Sequence, residues 1–332
     1  MLSCLPRSDA ILQLQLLGGL ILLIGGAESL VRGAVRISRR LGISSLVVGL
    51  TVVALGTSFP ELFVSSIASF RDESAVALGN VIGSNVFNIA VILALAAMIR
   101  PVHIELRLLQ LEIPFVLFIT VLFPLLAMDG TIGRADAGIL IGLFATYLFY
   151  VRYTAREHSP PTWPDAEVAD DVTPGPAPDG RLWFGLAMVL FGLVAMGFGA
   201  KWMVDSATEL ARAWGVSERV IGLTLLAGGT SLPELASTLV AFRKREPDLA
   251  VGSLLGSNVF NTLAIVGTAA MIRPLAPTQE FLRIDMLVML LSVLLLIPLA
   301  HSRSRIGRWE GLGLFTLYLA YLTILILDPA GF

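Results

Sequence analysis

Two glutamates stand inside stretches that are otherwise apolar: Glu61 in GTSFPEL (56–62) and Glu234 in GTSLPEL (229–235). An ionisable group at membrane depth costs several kcal/mol and persists only against a partner or a water-filled cavity. No Lys or Arg sits at matching depth, so the natural counter-charge is a bound cation; a protonated glutamate bonded to a carbonyl is the alternative. Thr57 and Ser58 precede Glu61 by four and three residues, which puts hydroxyls and carboxylate on one helical face. Pro60 removes the helical donor for the Gly56 carbonyl and can turn carbonyls toward a cation. Thr230, Ser231 and Pro233 repeat the arrangement around Glu234. Ser84 and Asn88 share a face four residues apart in GSNVFN (83–88), as do Ser257 and Asn261 in its identical copy (256–261). Asn85 and Asn258 fall between those faces and read as bonds between helices, with Gly79, Gly83, Gly252 and Gly256 allowing close approach.

The set is all oxygen: two carboxylates, Ser and Thr hydroxyls, two amides and some carbonyls. Hard cations want such ligands, and Ca²⁺ takes about six to eight of them. The single cysteine, Cys4, is remote, and His103, His158 and His301 lie near span ends, which speaks against zinc or copper. Two carboxylates neutralise one Ca²⁺ or two Na⁺, so one site can hold either ion in turn. Nothing in the pattern suggests a catalytic residue, an enzyme or a cofactor.

The elements that must hold these residues are membrane helices. Of 332 residues, 56% are apolar and only 14% charged, and the mean hydropathy is +0.83. So little charge cannot coat a soluble globule of this size, and lipid must be the solvent. A net charge of −2 gives no reason for a nucleic-acid partner, and no obligate protein partner is evident. Segments long enough to span fall at 11–31, 44–70, 75–99, 106–127, 136–152, 181–203, 217–242, 249–272, 281–300 and 309–327. A proline-rich, acidic stretch at 153–180 reads as a flexible linker between 1–152 and 181–332. The two halves repeat: GTS-x-PEL, GSNVFN and AAMIRP (96–101, 269–274) all recur at one offset of 173 residues. Five spans per half is an odd number, so the second copy enters from the opposite side. The expected fold is all-α and polytopic, with ten transmembrane helices as two inverted five-helix repeats, a plan common in secondary transporters. Connections 1–2, 3–4, 5–6, 7–8 and 9–10 carry fifteen of the twenty-three Lys and Arg residues, which places the linker in the cytoplasm and both termini outside.

The paired GTS-x-PEL and GSN-x-x-N blocks resemble the α-repeats of the calcium:cation antiporter superfamily, specifically its sodium/calcium exchangers of prokaryotic type. The resemblance covers nearly the whole chain. It implies exchange of Na⁺ for Ca²⁺ by alternating access in a cell membrane, such as a bacterial inner membrane, with spans one and six sliding across a fixed core. It carries over Thr57, Ser58, Glu61, Ser84, Asn88, Thr230, Ser231, Glu234, Ser257 and Asn261 as metal ligands, with backbone carbonyls of Ala54 and Ala227. Asn261 stands where prokaryotic relatives and the potassium-dependent branch often have aspartate, a departure that leaves one fewer charge and puts a potassium requirement in doubt. The proton-coupled branch has GN-x-x-E where this chain has GSNVFN, which favours sodium. A proton-coupled calcium or divalent-cation antiporter, and in another class a cation channel, are the competing readings.

Overall fold

Long apolar runs with few polar breaks satisfy their backbone internally, and in lipid that means helices. The computed structural model describes residues 9–105, 107–155, 182–214, 227–278, 281–303 and 305–327. Helix α1 (Asp9–Leu41) stops at Gly42, whose φ of +64° is the left-handed geometry of a helix C-terminus. The Ser44 hydroxyl caps α2 (Ser45–Thr57), which turns by 46° into α3 (Phe59–Phe70). Pro60, in the first turn of α3, is the cause: it cannot donate and it crowds the preceding turn. Next come α4 (Ser74–Ile99), α5 (Leu108–Leu126) and α6 (Arg134–Thr154). The second half holds α7 (Leu182–Ala213), a short turn Ala227–Gly229, α8 (Leu232–Arg243), α9 (Pro247–Ile272), α10 (281–303) and α11 (Arg308–Leu327).

Among the described residues, seven helices are long and apolar enough to span a membrane, or eight counting the bent α2–α3 pair as one. The tenth expected span is α11. The seventh, 217–242, is described from residue 227 onward; its first part lies outside the described residues, as does 156–180 of the expected linker. Helix α6 runs to Thr154, two residues past the expected end of its span.

The protein interior is built from α4 and α9: their apolar stretches are 72% and 100% buried, against 33% for α1 and α7. Helices α1 and α7 instead pair with each other and turn Leu14, Ile21, Phe191 and Phe198 outward, as lipid-facing surfaces do. Glycine every seventh residue makes that pair close. A Cβ at Gly19, Gly26 or Gly33 would come within 2.8 Å of the carbonyls of Gly199, Gly192 and Gly185, so the two helices run antiparallel, backbone against backbone. Helices α2 and α9 approach in the same way, where a Cβ at Gly252 would meet the Leu46 carbonyl at 2.8 Å and one at Gly256 the Leu50 carbonyl at 2.6 Å. Gly79 and Gly83 show no such neighbour among the described residues; the stretch the repeat would place there, 218–230, lies largely outside them.

The inversion is visible in two small β contacts. Val102–His103 pairs antiparallel with Arg305–Ile306, joining the α4–α5 and α10–α11 connections. Ile132 bridges Leu275, joining the α5–α6 and α9–α10 connections. The 173 offset carries Val102 onto Leu275, so the same kind of pairing, each time between the two halves, occurs twice. Counting crossings along the chain puts the two contacts on opposite faces of the membrane, as two inverted repeats require.

Candidate cation site

The bend after Thr57 is what brings the site together. Ser58 (φ −85°, ψ 8°) and Ser231 (φ −90°, ψ 7°) interrupt their helices in the same way, each one residue before a turn carrying proline and glutamate. Each glutamate then reaches across to the other repeat. The Ser58 hydroxyl donates to Glu234 Oε1 at 3.0 Å, and the Ser231 hydroxyl to Glu61 Oε1 at 3.3 Å. Ser84 from α4 adds a 3.5 Å contact to Glu61 Oε1 and lies 3.1 Å from Ser231. Ser257 from α9 departs from the symmetry and donates to the Ala54 carbonyl at 3.5 Å, which also accepts the Ser58 N–H. Glu61, Ser58, Ser84, Ser231 and Ser257 are all fully buried, and Glu234 nearly so.

A second symmetric layer lies one turn along α4 and α9, where both helices widen: Asn88–Leu93 and Phe260–Ile265 are π-helical. Such wide turns recur at functional sites. Asn88 Nδ2 donates to Asn258 Oδ1 at 2.9 Å, and Asn261 Nδ2 to Asn85 Oδ1 at 3.1 Å. Asn258 also donates to the Asn85 carbonyl, and Asn85 to Thr262. So Asn85 and Asn258 bond between helices, as their position between the two faces suggests. Their further effect is to hold the nitrogens of Asn88 and Asn261, which fixes where the amide oxygens go.

Buried polar atoms normally find partners. Here Glu61 Oε2, Glu234 Oε2, Asn88 Oδ1 and Asn261 Oδ1 are buried without a hydrogen-bond donor. All four are acceptors, and they come as two pairs related by the repeat. A carboxylate or amide oxygen left so inside a membrane protein is short of positive charge. Among the described residues no three His, Cys, Asp or Glu side chains gather, so the neutral oxygens must complete any coordination shell.

The remaining expected residues are placed less directly. Thr57 donates back to the Val53 carbonyl at 3.1 Å, the ordinary habit of a helical threonine. Thr230 is half-buried and donates to Asn80 Oδ1 at 3.4 Å, while Asn80 Nδ2 donates to the Glu61 carbonyl. Ala227 begins the short turn that leads into Thr230 and Ser231.

Two further carboxylates inside the spans were not singled out from the sequence. Glu112 accepts the Tyr147 hydroxyl at 3.1 Å and faces Arg107 at 3.8 Å; Asp285 accepts the Tyr321 hydroxyl at 2.7 Å. The signal was present, because the offset of 173 that pairs Glu61 with Glu234 also pairs Glu112 with Asp285. Asn80, which links Thr230 to Glu61, is matched in the second repeat by the smaller Ser253 and carried no motif signal.

Comparison with known proteins gives a consistent picture. Residues 12–153 and 184–327 each match the sodium/calcium exchanger protein family. The chain is 35% identical over 314 residues to the inner membrane protein YrbG of Escherichia coli, covering 93% of this chain and 95% of that one. It is 33% identical over 339 residues to the sodium/calcium exchanger MaX1 of Methanosarcina acetivorans, covering 93% and 97%. The fold matches the sodium-calcium exchanger NCX_Mj soaked with Na⁺ and Sr²⁺ at a TM-score of 0.79 and 32% identity, over 94% of this chain and 98% of that one.

Proposed function

Because the chain belongs to the sodium/calcium exchanger family and is a multi-pass membrane cation antiporter, we propose that it exchanges Na⁺ for Ca²⁺ at the Glu61–Glu234 site. The observation that carries this reading is the set of four buried, donor-free oxygens on Glu61, Glu234, Asn88 and Asn261. Their fixed charge is −2 when both glutamates are ionised, which balances one Ca²⁺ or two Na⁺. Hydroxyls of Ser58, Ser84, Ser231 and Ser257, and the Ala54 carbonyl, lie within reach to fill the shell, with Thr57, Thr230 and the Ala227 carbonyl at its edge. Ions that share ligands cannot bind together in full, and competition for one site is what couples their movement.

Access from alternate sides needs a surface along which part of the protein can move. The backbone-to-backbone, glycine-lined contact between α1 and α7 joins them into one body, which supports this pair moving together across the α4–α9 core. The Lys and Arg bias supports a cytoplasmic linker face with both termini outside, and the relative YrbG supports an inner-membrane location.

The test is flux in proteoliposomes under an imposed Ca²⁺ gradient, with Na⁺, K⁺ and pH varied one at a time. The expected result is Ca²⁺ movement that requires Na⁺ on the opposite side and ignores K⁺. Movement driven by a pH gradient without Na⁺ would make the protein a proton-coupled antiporter, and movement with no counter-ion a channel.

A further inference from the structure

Asn80 on α4 is bonded at both ends of its amide. Its Nδ2 donates to the Ser65 hydroxyl at 2.9 Å and to the Glu61 carbonyl at 3.1 Å, both on α3, and its Oδ1 accepts the Thr230 hydroxyl of the other repeat at 3.4 Å. The partners dictate which way round the amide sits. Ser65 is fully buried and spends its one proton on the Ala77 carbonyl at 3.1 Å, so toward Asn80 it can only accept. The Glu61 carbonyl can only accept as well. Both places therefore need the NH₂ group, and the amide oxygen has to face Thr230.

Thr230 lies beside the Glu61 carboxylate as well as beside Asn80. A hydroxyl has one proton and two lone pairs, so the neighbour that takes the proton decides what Thr230 is to a cation. Turned to Glu61, the proton would occupy the carboxylate that a cation needs. Turned to Asn80, it leaves the lone pairs free to join that carboxylate as a ligand. Thr57, the equivalent residue beside Glu234, settles the same choice within its own helix by donating to the Val53 carbonyl at 3.1 Å. The second repeat has no asparagine at the matching place. Ser253 stands there and donates back to the Ala250 carbonyl at 2.8 Å. Among the described residues Thr238, which matches Ser65, has no hydrogen-bond partner although it is fully buried. The clamp is thus particular to Asn80.

We propose that Asn80 is a positioning residue of the cation site: it takes the Thr230 proton and so makes the Thr230 oxygen a cation ligand next to Glu61. This rests on the reading of Glu61–Glu234 as the site of a hard cation. The test is calorimetric Ca²⁺ binding to the full-length protein, run as a double-mutant cycle. N80S places at 80 the residue that stands at 253, and is expected to weaken Ca²⁺ binding about 3- to 10-fold, the size of one redirected hydrogen bond. In T230A there is no proton to direct, so N80S should change binding there by less than about twofold. In T230S, which keeps the hydroxyl, the full loss should return. S65A removes one of the two acceptors that fix the amide and touches no ligand; it is expected to cost about 2- to 3-fold, again only with a hydroxyl at 230. Equal losses in the wild-type and T230A backgrounds would overturn the proposal, since Asn80 would then act by packing α3 on α4. N80S and S65A proteins that bind Ca²⁺ as tightly as wild type would overturn it too. The cycle is read from binding alone, so flux driven by a pH gradient in place of Na⁺ would overturn the exchange reading and leave the role of Asn80 standing.

Discussion

Replacing Glu61 by Gln keeps the size of the side chain and one carbonyl oxygen while removing half of the fixed charge. Two hydroxyls, from Ser84 and Ser231, point at Glu61 Oε1, and nothing donates to Oε2. The amide oxygen of the introduced glutamine will therefore keep the Oε1 position, since each hydrogen bond retained is worth about 0.5–1.5 kcal/mol. Its NH₂ group is then forced into the Oε2 position, where two N–H donors face the cation. Leaving one member of a buried charge pair without its partner costs about 3–5 kcal/mol, so Ca²⁺ affinity should fall by roughly two to four orders of magnitude. Glu234 Oε1 accepts the Ser58 hydroxyl at 3.0 Å, with Thr57 beside the same carboxylate. Its glutamine can flip at the cost of one bond and give the cation an oxygen, so Glu234→Gln should be the milder change, by about tenfold. The assay is Na⁺-dependent ⁴⁵Ca²⁺ uptake together with calorimetric Ca²⁺ binding on purified protein. A correctly inserted Glu61→Gln protein that binds Ca²⁺ within threefold of wild type would refute the reasoning, and a Glu234→Gln protein more impaired than Glu61→Gln would refute the asymmetry.

Asn261→Asp places a carboxylate oxygen 3.1 Å from Asn85 Oδ1 in place of a donor; it should bind a proton or flip Asn85 away from Thr262, and steepen the competition between H⁺ and Ca²⁺ in uptake measured against pH. Gly26→Ala puts a methyl 2.8 Å from the Gly192 carbonyl, forcing α1 and α7 apart at a cost of about 1–3 kcal/mol; lower thermal stability in detergent and slower exchange should appear together. Lys244→Gln cuts the tie from the α8–α9 turn to Glu28 on α1; because partly exposed ion pairs are worth at most about 1 kcal/mol, the exchange rate should change less than about fivefold while the melting temperature stays put. Deleting residues 160–176 should leave uptake intact, and a correctly inserted deletion protein without activity would assign those residues a role in transport.

The central glutamates and their serines were legible because membrane helices make a charged residue conspicuous and the duplication marks it twice. Spacing alone also separated Asn88 and Asn261 from Asn85 and Asn258. What spacing could not supply is the crossing of partners. Ser58 was placed beside Glu61 by a three-residue interval, yet its hydroxyl serves Glu234, because the bend at Ser58 turns the side chain toward the other repeat. Thr57 does both: its hydroxyl donates to the turn below, and its side chain lies beside Glu234 of the other repeat. The pairing of α1 with α7 was written in glycines seven residues apart, a pattern outside any motif. Asp285 and Glu112 carry no motif around them and sit within six residues of a span end, so spacing alone gives no reason to single them out, although both are buried.

The symmetry and its violations divide the work between them. Where the repeats agree, at Glu61 and Glu234 or Asn88 and Asn261, the residues meet at the centre and present the same oxygens to either side, which a site used from both faces requires. Away from the centre the repeats disagree in sign. The first carries Glu28 and Arg32 on α1 where the second carries Lys201 and Asp205 on α7, and both pairs are i,i+4 ion pairs with the charges reversed. Of the two, Glu28 finds an opposite charge on the facing turn, Lys244; the position matching Lys244 is Arg71, which would repel Lys201. Glu112 is likewise matched by a base and, among the described residues, Asp285 is not. In these two cases the linker-side half carries a further ion pair, Lys244 with Glu28 or Arg107 with Glu112, that among the described residues has no counterpart at the equivalent positions of the other half. A transporter whose halves were identical would have two access states of equal energy; these reversals supply the difference between them while leaving the central ligands untouched.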